Sequence, residues 1–117
     1  MNDNNQHFNL EQLNSFSFDD DEFKKELIEI FLEQIPVFIS KMKEFLKADD
    51  FANLAREAHT AKSSVLIFGM TETGTSLKEI QSQSEKASAE NLSTLIDKVA
   101  KEMNFVSVQL QVILDDL

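Results

Sequence analysis

His59 and Lys62 stand three residues apart in the stretch His59-Thr60-Ala61-Lys62-Ser63-Ser64, a spacing that makes an imidazole and an ammonium neighbours on a helix. An exposed imidazole is mostly neutral near pH 7, so one ring nitrogen keeps a lone pair able to attack phosphorus. The product is a charged phosphoramidate. Lys62, with Arg56 one turn earlier, would offset part of the added charge through charge-assisted hydrogen bonds.

Whether this chemistry is open to a partner depends on which way the helix faces. Indexed at about 100° per residue, Phe51, Leu54, Ala58, Ala61, Val65 and Phe68 fall in one stripe. With that stripe buried, His59 lies roughly 130° from its centre and faces water, and Lys62 sits on the shoulder between it and the core. Ala52, Ala55 and Ser63 are small, which leaves a flat, weakly positive landing surface around the imidazole. Leu66 and Ile67 point away from the stripe and extend that surface with exposed aliphatics, so a partner is expected to dock on these five residues. Good helix propensity alone also accounts for the alanines, and a solvated histidine beside a lysine has no function by itself.

Other chemistries find little support. The chain has no cysteine, which removes disulfides, thiol catalysis and the common structural zinc sites. His7 is the only other histidine. Ser63 beside His59 lacks an evident acid to orient the imidazole, as a nucleophilic triad would require. No inward-facing Glu-x-x-His pair points to a carboxylate-bridged metal, and no glycine-rich phosphate loop points to ATP binding. The 11 basic and 21 acidic residues leave a net charge of -10, a field that repels nucleic acid and anionic lipid. The longest apolar run, Val65-Leu66-Ile67-Phe68, is far short of a membrane span. Met1–Gln6 lacks the basic start and apolar core of a signal peptide, so a cytoplasmic location is expected.

The elements that must hold these residues are helical. Two glycines and one proline in 117 residues are too few turn formers for a strand-rich fold, while 42% hydrophobic content with ten phenylalanines can fill one core. Residues 1–7 read as a flexible polar tail and residues 8–117 as a single helical domain. Phe8, Leu10 and Leu13 predict a short helix lying over one end. A long helix is expected after Ser17–Asp19, with Asp19–Glu22 at its positive end and Phe23, Leu27, Ile30 or Phe31, Phe38, Met42 and Phe45 facing inward. Pro36 is expected to kink or divide it. Asp49 and Asp50 mark the turn before the histidine helix, Gly69 its end, and Thr71 the cap of the next. That next helix carries Gly74 and only Leu77, Ile80 and Ala87, with Met70, as apolar positions. Ser88–Asn91 reads as a connection. From Leu92 through Leu95, Ile96, Val99, Met103, Val106, Leu110 and Ile113 to Leu117 the three-four spacing defines the last helix. Four amphipathic helices on short links imply an all-α fold, an antiparallel up-down four-helix bundle with a short extra N-terminal helix.

In this arrangement the chain resembles the histidine phosphotransfer (HPt) domains of bacterial phosphorelays. Ala58-His59-Thr60-Ala61-Lys62-Ser63-Ser64, followed by Phe68-Gly69, is similar to that family's Ala-His-x-x-Lys-Gly-Ser motif and its downstream glycine. Ile30-Phe31-Leu32 and Ile35-Pro36 resemble the preceding helix, and Leu46–Asp50 resembles the turn ahead of the active one. Two positions depart: Ser63 stands where the family has glycine, and Thr73 where it has an aliphatic residue. The resemblance implies that His59 carries a phosphoryl group, that Lys62 supports it, and that Gln81 on the following helix hydrogen-bonds the imidazole. It further implies a relay between receiver-domain aspartates without kinase activity of its own and with no intrinsic cofactor, magnesium being held by the partner receiver. Expected partners are response-regulator receiver domains and a hybrid sensor histidine kinase, engaged by a monomer. The competing readings are a helical adaptor that is not phosphorylated and a kinase-docking protein of the same fold.

Overall fold

A computed structural model describes residues 8–86 and 90–117. The expected tail, Ala87 and the Ser88–Ala89 part of the connection lie outside them. Five helices follow in order: α1 (Glu11–Phe16), α2 (Asp21–Lys47), α3 (Phe51–Ile67), α4 (Thr71–Glu85) and α5 (Leu92–Asp116). The four long ones pack as an antiparallel bundle in which α2 meets α3 and α5, and α4 meets α3 and α5. Leu13 of α1 is fully buried, and the Asn9 amide donates to the Phe68 carbonyl (2.9 Å), so the N-terminal segment closes one end of the bundle.

Side-chain oxygens set the two helix starts that matter here. Asp20 accepts from the amides of Glu22 (3.0 Å) and Phe23 (3.3 Å), while Asp50 accepts from the Asn53 amide (3.2 Å), each satisfying donors that a helix leaves free. Gly69 ends α3 with φ +68°, a conformation that favours glycine, and Asn9 lies directly against it where a side chain would stand. Next to this turn the rings of Phe31 and Phe68 stack with centroids 4.2 Å apart and tie α2 to the end of α3.

Several expectations are corrected. Phe23, expected inward, is 42% exposed; of the alternatives Ile30 and Phe31 it is Phe31 that is buried, and Ile28 and Ile35 join it with Phe38 and Met42 on the buried face of α2. This helix carries apolar residues on two faces, and packing selects one. Pro36 does not divide it. α2 runs unbroken from Asp21 to Lys47 with Pro36 exposed. The cap of α4 is Met70, not Thr71, and it makes no side-chain capping bond. Met70 is fully buried directly after the tight turn at Gly69, so the helix begins one residue earlier than a hydroxyl cap would place it. Leu117, expected on the inward stripe of α5, is 42% exposed.

Gly74, which weakens α4 as an isolated helix, has a packing role. A β-carbon there would come within 2.8 Å of Leu66 Cδ2 and 3.9 Å of Val65 Cγ2, so glycine lets α4 approach α3 closely. Thr73 is 1% exposed, and its hydroxyl donates to Glu102 Oε1 of α5 (2.9 Å), which satisfies the polar group that replaces an aliphatic side chain.

Candidate functional site

The close α3–α4 approach leaves an open groove along one side of the pair, and His59 stands on its rim. Phe51, Ala52, Ala55, Arg56 and His59 of α3 line one wall, and Gln81, Ser84 and Glu85 of α4 the other, around a volume of about 600 Å³. Leu54, Ala58, Ala61 and Val65 are fully buried, so the stripe indexed from the sequence is the core face and the imidazole points outward as expected. Gln81 is half-buried on the opposite wall, so the structure brings the residue 22 positions downstream to the groove of the histidine.

The cations are arranged differently from each other. Arg56 is exposed and lines the groove, and its guanidinium donates to Asn53 Oδ1 (3.2 Å). Asn53 is itself held by the capping residue, since its side-chain amide donates to Asp50 Oδ2 (2.7 Å). A relay of polar contacts thus runs from the helix cap to the arginine. Lys62 is half-buried on the helix shoulder, one turn beyond His59 and outside the groove wall. The Ser63 hydroxyl donates back to the His59 carbonyl (3.4 Å) and so turns toward its own helix.

The expected docking surface is only partly realised. Ala52 and Ser63 are exposed, and Leu66 is 40% exposed with its tip over Gly74. Ala55, expected on this surface, is 7% exposed. It lies about 90° from the centre of the buried stripe at 100° per residue, and α4 covers that flank, which helix indexing cannot foresee. Ile67 is half-buried and packs against the core near the crossing of Asn9, so it is not the freely exposed aliphatic expected. The contributions of Ser84, Glu85 and Phe51 to the groove were not anticipated. For Ser84 and Glu85 the signal is their i+3, i+4 spacing from Gln81 on one helix face.

No set of three or more His, Cys, Asp or Glu side chains able to hold a metal occurs among the described residues, and no described helix is long and apolar enough to cross a membrane. The site presents an exposed imidazole with cations on the same helix and an amide across the groove.

A model of the Hpt domain matches residues 26–115, which hold all of α3 and α4, all but the last residue of α5, and α2 from its sixth residue onward. The fold is similar to the crystal structure of histidine-containing phosphotransfer protein B (HptB) from Pseudomonas aeruginosa PAO1, with a TM-score of 0.89 and 17% identity over 97% of this chain and 98% of that one. No curated protein matches the chain by sequence.

Proposed function

The chain belongs to the Hpt domain family, a family of phosphocarriers, and from that premise we propose that His59 relays a phosphoryl group between the aspartates of two receiver domains. Residues 8–117 act as one domain. In the first half of the relay a ring nitrogen of His59 forms a bond to phosphorus as the acyl phosphate bond of the donor aspartate breaks and its carboxylate leaves. In the second half a carboxylate of the acceptor forms the new bond and the imidazole leaves. The receiver holds the magnesium and most of the catalytic groups, and this chain contributes the nucleophile and its surroundings. Lys62 and Arg56 offset the charge of the phosphoryl group, Gln81 orients the imidazole from the other wall, and Ala52, Ser63 and Leu66 meet the receiver, with Ala55 and Ile67 supporting that surface from beneath. A hybrid sensor histidine kinase and response-regulator receiver domains are the partners, engaged by a cytoplasmic monomer.

The observation that carries this reading is the position of an exposed His59 at the rim of the α3–α4 groove, with Arg56 and Gln81 lining the same groove. Incubating the protein with a phosphorylated receiver domain and scoring acid-labile label tests it. His59→Gln is expected to abolish labelling while the helical circular dichroism and the melting temperature stay near wild type, because exposed substitutions change stability by less than about 0.5 kcal/mol. Label retained in the variant refutes His59 as the acceptor. A wild-type protein that binds receivers and is never labelled is the adaptor of the competing reading.

A further inference from the structure

Arg56 lines the groove of His59, yet its head group is bonded on the side away from the imidazole. The guanidinium donates from Nη1 to Asn53 Oδ1 (3.2 Å), three residues before the arginine, whereas His59 stands three residues after it. Asn53 and His59 are therefore about 9 Å apart along the helix axis, at 1.5 Å per residue. The acceptor is itself held in place. Asn53 Nδ2 donates to Asp50 Oδ2 (2.7 Å), and a carboxylate only accepts, so the amide is turned one way, with Oδ1 toward the arginine. Asp50 is anchored twice more: its Oδ1 accepts from the main-chain amide of Asn53 (3.2 Å), and its own amide donates to the Phe45 carbonyl of α2 (2.8 Å). Other partners for the guanidinium are few. Three and four residues away on α3 stand Ala52, Asn53, His59 and Thr60, and the Thr60 hydroxyl turns back to the Arg56 carbonyl (3.1 Å). Across the groove Glu85 forms no ion pair with Arg56 among the described residues, and Lys86 follows it.

We propose that Asn53 is a positioning residue that holds Arg56 back from His59 until an anion forms at residue 59, which then draws the guanidinium across to itself. The inference rests on the phosphocarrier reading for the source of that anion, the phosphoryl group. The amide oxygen of Asn53 is a neutral acceptor. A phosphoryl group is charged and offers adjacent oxygens to the planar fork of the guanidinium, so it forms the stronger contact. To make that contact the arginine must first leave Asn53, and the broken bond subtracts from its hold on the phosphoryl group. A carrier that holds its phosphoryl group less firmly gives it up more readily. Asn53, set by Asp50, thereby tunes how the group is shared between this chain and its receivers without touching it.

The ratio of labelled carrier to labelled receiver domain at equilibrium reads this hold. Asn53→Ala is expected to raise the ratio about two- to tenfold, because the amide no longer competes for the arginine. Its melting temperature is expected to stay near wild type, since Asp50 still caps α3 through the main-chain amide of residue 53. Arg56→Ala is expected to lower the ratio, and Asn53→Ala added to Arg56→Ala to change it no further, a result that a merely structural role of Asn53 would not give. A ratio that Asn53→Ala leaves unchanged or lowers, or an equal rise in the Arg56→Ala background, overturns the proposal. A second measurement needs no phosphoryl group. Nuclear Overhauser contacts from the Arg56 side chain are expected to reach Asn53 in the wild type and in His59→Gln, and to move to residue 59 in His59→Glu, whose carboxylate supplies the anion. Contacts that stay on Asn53 in His59→Glu, or that are missing in the wild type, also overturn it. A wild-type protein that phosphoramidate cannot label overturns the phosphocarrier reading instead, and the Overhauser contacts still decide whether an anion at residue 59 draws the arginine from Asn53.

Discussion

Tryptophan at Ala52 and at Ala55 should separate blocked docking from a damaged bundle, because these two alanines of the His59 groove differ in burial. Ala52 is exposed, whereas Ala55 is 7% exposed on the flank of α3 that α4 covers. An indole at Ala55 must push α4 away from a tightly packed neighbour or turn into the groove, and overpacking of this kind costs about 1–3 kcal/mol. For a chain of this size each kcal/mol moves the melting temperature by about 4 °C, so Ala55→Trp should melt about 4–12 °C below wild type. Ala52→Trp should stay within about 2 °C, since its ring stands in solvent. Both should lose transfer from a phosphorylated receiver, but only Ala52→Trp should retain full labelling by phosphoramidate, a donor too small to be held off by the ring. Melting followed at 222 nm and label counted after each donor supply the readouts. An Ala55→Trp protein that melts with wild type would show that α4 does not press on that flank. Wild-type transfer from the receiver to Ala52→Trp would place the partner surface elsewhere.

Lys62→Ala should slow transfer about ten- to a hundredfold without abolishing it, since a charge-assisted contact is worth about 1.5–3 kcal/mol and the nucleophile remains; rapid-quench rates equal to wild type would make the lysine a bystander. Gly69→Ala should lower stability by about 2–4 kcal/mol in urea melts, because φ is +68° and Asn9 occupies the space of a β-carbon. A loss below about 1 kcal/mol would mean that the N-terminal segment moves aside freely.

How much of this protein was legible in the sequence follows from which forces act within one helix and which act between helices. The regular apolar spacing of α3 and α5 reported both their helical state and their buried faces, because a stripe repeating every three to four residues is hidden only when its helix packs on that side. Asp20, Asp50 and Gly69 announced helix boundaries through bonds and dihedral preferences confined to a few neighbouring residues. The outward aim of His59 was legible for the same reason, being an angle measured on a single helix.

Packing between helices decided the rest. α2 is apolar on two faces, so the burial of Ile28 and Ile35 in place of Phe23, and of Phe31 over Ile30, came from its contacts with α3 and α5. Ala55 went under because α4 lies on that flank, and α4 comes so close because Gly74 has no side chain to meet Leu66. The same approach set Gln81, Ser84 and Glu85 opposite His59 and Arg56. Helical periodicity states the direction of a side chain about its own axis. It carries no information about which neighbouring helix will stand there, how near it will come, or which polar groups it will leave without partners.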